Sequence, residues 1–226
     1  MRPTLHPRVK ICCIASIDEA KTAITYGASA LGLVSAMPSG PGVISEKKIA
    51  EIAATIPPPI ATFLLTSKRD ARSIIAQQKR CRTNTLQLCD RIETGVYRQL
   101  RDALPGVALV QVIHINGRGS IEEATAVAPF VDALLLDSGN DKSSVKELGG
   151  TGRVHDWSIS KTIRESVNKP IFLAGGLNRE NVARAISVVA PFGLDLCSGV
   201  RTNGTLDEMK LAGFFGAIGS SGPHPL

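Results

Sequence analysis

The sequence predicts an α/β fold, a single-domain (βα)8 TIM barrel, and three observations carry that expectation. Short apolar runs suited to buried parallel strands alternate eight times with stretches of helical length. Three late strands each run into glycine: Val131 to Ser138 leads to Gly149-Gly150-Thr151-Gly152, Pro170 to Ala174 leads to Gly175-Gly176, and Gly193 to Ser198 leads to Gly199. Glycine takes positive φ without strain and lets backbone amides approach an anion, and late strand ends are where such a barrel holds phosphate. The 226 residues also sit near the roughly 250 of a compact barrel. No Gly-x-Gly-x-x-Gly follows the first strand, which argues against a dinucleotide-binding sheet.

The elements follow in order. Val9 to Ile14 reads as strand 1, and Ser16 caps a helix that Gly27 stops after Tyr26. Ala30 to Val34 is strand 2. A Pro/Gly loop (Pro38, Gly40, Pro41, Gly42) precedes a helix opened by Ser45 and ended near Ile56 by three prolines. Ile60 to Thr66 and Thr83 to Leu88 are strands 3 and 4, with helices from Lys68 to Arg80 and from Thr94 to Leu104. Val107 to Ile115 is strand 5, followed by a short helix from Ser120 to Ala128. Val131 to Asp137 is strand 6, and the long loop reaching His155 has the length of a functional loop. A helix from Trp157 to Val167 leads to strand 7, Ile171 to Ala174. Asn178 is expected to cap the helix from Arg179 to Val189. Gly193 to Cys197 is strand 8, and Leu206 to Ile218 is the last helix. The barrel is expected to span residues 1–219, with 220–226 a frayed tail.

Composition narrows the function. Hydrophobic residues make up 43% of the chain but aromatics only 4%, so the core must be built of Ala, Val, Ile and Leu. The net charge of +6 is dispersed, with no basic tract interleaved with aromatics, so no nucleic-acid partner is expected. The sign suits an anionic metabolite. Five cysteines at irregular spacing form neither a disulfide framework nor paired zinc ligands, and a reducing cytoplasm is the expected location. There is no signal-peptide core and no run long enough for a membrane helix, so no membrane partner is expected.

Side-chain parity selects the candidate chemistry. Along strand 1, Val9, Ile11 and Cys13 share one side and should face the helices, leaving Lys10 and Cys12 to the lumen. Asp137 ends strand 6 with the parity of Leu135. Asp195 and Cys197 share parity on strand 8, which neighbours strand 1, so Asp195 and Lys10 are expected to pair inside the lumen. Each residue also has an ordinary reading. A cysteine in such a strand is usually a small buried hydrophobe, and an Asp at a strand end usually a cap. One Gly-Gly pair is usually a turn, whereas three glycine-bearing turns at neighbouring strand ends favour phosphate. His114 and His155 are isolated and read as ordinary polar residues. Cys12, Cys89 and Cys197 fall at strand ends without a histidine or carboxylate at ligand spacing, so no metal is expected.

Taken together, Lys10-Ile11-Cys12, Leu134-Leu135-Leu136-Asp137-Ser138, Gly149 to Gly152 with Asp156-Trp157, Leu173 to Asn178 with Asn181-Val182, and Gly193-Leu194-Asp195 with Ser198-Gly199-Val200 resemble phosphoribosylanthranilate isomerase of tryptophan biosynthesis. The resemblance spans nearly the whole chain in order and is most specific from strand 6 onward. It implies an Amadori rearrangement of N-(5-phosphoribosyl)anthranilate to the 1-deoxyribulose phosphate. Asp137 would be the general acid at the ring oxygen and Cys12 the general base at C2. Gly150, Thr151, Gly152, Gly175, Gly176, Ser198 and Gly199 would hold the phosphate, and Lys10, Gln87 and Asp195 would support the site. It implies a phosphorylated sugar as substrate, no cofactor or metal, and a monomer or homodimer.

The sequence departs from the family in the loop after strand 2, where Ser-Pro-Arg becomes Gly40-Pro41-Gly42. The family's Cys-Gly becomes Cys12-Cys13, its Gln-Leu-His-Gly becomes Gln87-Leu88-Cys89-Asp90, and its Gly-Val-Glu becomes Gly199-Val200-Arg201. The missing arginine is the group expected to grip the anthranilate carboxylate. Arg201 or Lys68 is the expected substitute, and Gly42→Arg should restore the contact. The alternatives are a paralogous isomerase acting on a different amine, or a catalytically weak phosphosugar-binding protein.

Overall fold

In the computed structural model, which describes residues 7–138 and 154–219, eight parallel strands close into a barrel. They are β1 (Arg8–Ile11), β2 (Ala30–Val34), β3 (Ala61–Thr66), β4 (Thr85–Leu88), β5 (Ala108–His114), β6 (Ala133–Asp137), β7 (Ile171–Leu173) and β8 (Gly193–Leu196). Closure comes from β1 pairing with β8, which sets Lys10 opposite Asp195. Seven helices follow the strands as α1 (Ile17–Thr25), α2 (Glu46–Ala53), α3 (Ala71–Cys81), α4 (Thr94–Ala103), α5 (Gly119–Val127), α6 (Trp157–Ser166) and α7 (Val182–Val189). A two-stranded hairpin, β9 (Arg201–Thr202) with β10 (Thr205–Leu206), precedes α8 (Glu208–Gly219).

Period-two alternation splits the core into two layers. Outward strand residues such as Ile11, Leu31, Leu64, Leu86, Leu134 and Leu194 pack with the helices. Inward residues such as Ala30, Phe63, Leu65, Val112, Leu135 and Phe172 fill the barrel. With few aromatics available, Phe63 and Phe172 meet edge-on across the lumen, ring centres 5.8 Å apart.

Helix starts follow side-chain chemistry. Ser16, Ser45, Asp70 and Asp156 each accept a hydrogen bond from an amide in the first turn. Asp70 therefore moves the start of α3 to Ala71, three residues beyond Lys68. Asn178 does not cap α7. Its side chain accepts from the amides of Glu180 and Asn181 and closes a turn, so the helix begins at Val182. The hairpin carries no apolar alternation and was not expected from sequence. The 220–226 tail and the Gly149 to Gly152 cluster lie outside the described residues.

Candidate active site

The C-terminal ends of the strands open into a cleft. Its walls include Cys12 and Cys13 after β1, Ser39, Gly40 and Pro41 after β2, Gln87 on β4, Asp137 at the end of β6, Gly175 and Gly176 after β7, and Cys197 and Ser198 after β8. Seven of the predicted site residues, namely Cys12, Gln87, Asp137, Gly175, Gly176, Asp195 and Ser198, line this one space.

Lys10 is fully buried, and its ammonium donates to Asp195 at 2.8 Å. Burial opposes the charge on Lys10, but Asp195 wins and holds its pKa above the usual lysine range. Burial likewise pushes the Asp195 carboxyl up, with Lys10 pulling the other way. A side chain built on Gly32 would strike Cys12 Sγ at 2.9 Å and Lys10 Nζ at 3.1 Å. The ammonium and the thiol thus flank the same small gap, which the missing Cβ leaves open. Asp137 is buried and accepts from the Ser138 amide at 2.7 Å. Gln87 Nε2 points to Cys89 Sγ at 3.8 Å, and its buried Oε1 has no partner among the described residues. His155 is held neutral: burial lowers its pKa to about 4, against the pull of Asp137.

The end expected to hold phosphate is made of backbone. Gly175 and Gly176 have φ of +86° and +64°, where an L side chain is strained. Asn181 fixes this turn by donating to the Gly176 carbonyl at 2.9 Å. Ser198 to Val200 form a short 3-10 turn after β8. Gly199 meets the β7 loop so closely that a Cβ would lie 2.0 Å from the Leu177 carbonyl oxygen. The amides of Gly175, Gly176, Ser198 and Gly199 find no acceptor among the described residues, leaving donors for an anion.

The other end overturns three expectations. Cys13 does not face the helices. Strand β1 stops at Ile11 and Cys13 takes φ of +63°, which breaks the alternation. Its thiol turns to the cleft, 2.8 Å from Cys197 Sγ and 3.5 Å from the Pro41 carbonyl. Arg201 is not a spare cation. It is buried, pairs with Glu19 at 2.9 Å and donates to the Cys13 carbonyl at 2.6 Å and to the Gly204 carbonyl at 2.9 Å. Lys68 does not line the cleft. Gly42 has φ of +77°, and a Cβ there would lie 2.5 Å from Cys13 Cβ. Gly42→Arg alone therefore meets both strain and collision. Among the described residues lining the cleft there is no arginine or lysine. No group of three or more His, Cys, Asp or Glu among the described residues is arranged to hold a metal ion.

The N-(5'-phosphoribosyl)anthranilate (PRA) isomerase family matches residues 9–217 of this chain. N-(5'-phosphoribosyl)anthranilate isomerase 2 of Methanosarcina mazei is 36% identical over 212 residues, covering 92% of each chain. The crystal structure of phosphoribosyl anthranilate isomerase from Thermotoga maritima superposes with a TM-score of 0.78 at 27% identity, over 95% of this chain and 99% of that one. A phosphoribosyl anthranilate isomerase in complex with reduced 1-(o-carboxyphenylamino)-1-deoxyribulose 5-phosphate gives a TM-score of 0.76 at 26% identity, over 95% and 99%.

Proposed function

Because the chain belongs to the PRA isomerase family, we propose that Cys12 and Asp137 are the base and acid of an Amadori rearrangement run across this cleft. The enzyme converts N-(5'-phosphoribosyl)anthranilate to 1-(2-carboxyphenylamino)-1-deoxyribulose 5-phosphate. Asp137 protonates the furanose ring oxygen, and the ring opens to a Schiff base. Cys12, as thiolate, takes the proton from C2, and the resulting enolamine tautomerises to the ketone. Lys10, kept charged by Asp195, sets a positive charge beside the sulfur that carries the anion. The two reacting groups sit at the ends of separate strands, β1 and β6, and line one cleft, as proton traffic at two substrate atoms requires.

The phosphate rests on the amides of Gly175, Gly176, Ser198 and Gly199; the resemblance gives Gly150, Thr151 and Gly152, outside the described residues, the same role. The observation that carries the reading is that Cys12, Asp137 and the positive-φ glycine turn line a single cleft. The test is rescue of a tryptophan auxotroph lacking this isomerase. Wild type should restore growth on minimal medium, and Cys12→Ser or Asp137→Asn should not. Equal growth with all three would overturn the residue roles.

Among the described residues no helix is long and apolar enough to cross a membrane. The substrate is the only partner the reaction requires. Work as a monomer or as a homodimer is compatible with a cleft whose named residues all belong to one chain.

A further inference from the structure

We propose that Cys13 and Cys197 form a redox-modifiable thiol pair on the cleft wall, joined by hydroperoxide into a disulfide that switches the isomerase off. Neither thiol has a part in the rearrangement. Their sulfurs lie 2.8 Å apart, already in contact, although the residues are 184 positions apart in sequence. Both line the cleft, and Cys197 is only half-buried, so a small peroxide reaches it from the substrate side. Cys81 and Cys89, by contrast, are buried, and burial raises the pKa of each to about 12.

The surroundings divide the roles. The side-chain contact with Cys13, with help from Arg201 and Lys10, pulls the Cys197 thiol below the ordinary range against its burial. Contacts with Cys12 and Cys197, together with burial, hold the proton on Cys13. Cys197 is therefore the attacking thiolate and Cys13 the resolving thiol. In the first step Cys197 sulfur attacks the outer peroxide oxygen. An S–O bond forms, the O–O bond breaks, and the peroxide is reduced to an alcohol or water. In the second step Cys13 sulfur displaces that oxygen. The S–S bond forms, and the hydroxide leaves as water with the Cys13 proton. Two thiols are oxidised for one peroxide reduced.

The bond draws the sulfurs from 2.8 Å to about 2.05 Å. Cys13 is the residue after the base, so Cys12 shifts with it. Its thiol also leaves the Pro41 carbonyl, which it now holds at 3.5 Å. Displacements of this size at a reacting group cost about tenfold or more in rate.

The experiment treats the full-length enzyme with hydrogen peroxide and follows free thiols, cross-linked peptides and isomerase activity together. The expected result is loss of two of the five thiols, a Cys13–Cys197 linked peptide, and an activity loss of about tenfold or more reversed by dithiothreitol. Cys13→Ser and Cys197→Ser should each give no cross-link, and Cys81→Ser should cross-link as wild type does. Each variant is compared with its own untreated activity. A disulfide involving Cys12, thiol loss that dithiothreitol does not reverse, or five thiols surviving millimolar peroxide would each overturn the proposal.

Discussion

The two ends of the cleft are built by different means. At the proposed phosphate end the chain makes the site from backbone: two successive glycines at positive φ, and Gly199 pressed on the Leu177 carbonyl. At the amine end it uses side chains. Arg201 and Glu19 clamp the loop after β1, and Cys13 reaches from that loop to Pro41 and Cys197. Backbone geometry at positive φ has essentially one residue type that meets it cheaply. A side-chain tie can be made by many pairs of residues. The backbone-built end is thus where the chain reads like its family, and the tied end is where it has changed residues in groups.

Removing the groups between the two ends should have the largest effect. Cys12→Ser and Asp137→Asn should each lower kcat by about 10²- to 10⁴-fold, the usual worth of a positioned acid or base. KM should stay near wild type, because neither change touches a holding group at either end. Steady-state kinetics separates the two parameters. A rise in KM with kcat preserved would mean that these residues bind substrate and the division of the cleft is wrong.

Breaking the tied end should cost stability. Arg201→Met leaves the half-buried Glu19 without its cation, a loss of about 1–2 kcal/mol after solvent screening. Burial pushes the Glu19 carboxyl up, but Arg201 and the amides of Ala15 and Leu206 pull it further, to a net position below 4.5. A carboxyl lowered by folding stabilises above its unfolded pKa, and that contribution fades as pH falls through the folded value. The Tm gap between wild type and Arg201→Met should therefore be widest near neutrality and shrink below about pH 4.5. A gap that does not change with pH would show that Arg201 acts by packing alone.

Gly42→Arg probes the same end more gently. Positive φ and the clash with Cys13 together should cost about 2 kcal/mol. Cys13→Gly removes both the obstructing side chain and the strain at its own φ of +63°. The double variant Cys13→Gly/Gly42→Arg should regain most of that loss, and only it should show a lower KM for the anthranilate substrate. Additive Tm shifts in a double-mutant cycle would mean that the two residues are not interlocked.

These results explain what was legible in the sequence. The eight-strand alternation, the Lys10–Asp195 pair and the strand-end positions of Cys12 and Asp137 follow from period two and held. Gly175-Gly176 is legible through positive φ, and Gly199 through its close approach to the Leu177 carbonyl. The orientation of Cys13 was not, because period two assumes a strand and β1 ends at Ile11. Arg201 looked like a free cation because its partner Glu19 is 182 residues away. Asn178 has the residue type of a cap, but so does Asn181 three positions on, and only the fold chooses between them. Glycine at position 42 signals a change in the sequence, but its steric fit against Cys13, whose Cβ would lie 2.5 Å from a Cβ at 42, needs the fold.

The smallest effect separates backbone from bulk at the phosphate end. Gly176 sits at φ of +64°, where an ordinary L residue pays about 1–2 kcal/mol, roughly tenfold in KM. Asparagine tolerates this region better than alanine although it is larger, and valine tolerates it worst. If conformation carries the site, KM should rise in the order Gly, Asn, Ala, Val, with kcat nearly constant. If space around the phosphate carries it, alanine should be milder than asparagine. Inorganic phosphate as a competitive inhibitor should show the same order in its inhibition constant, since it reports this end without the amine. An inverted order in both measurements would remove the claim that this end is made by backbone conformation.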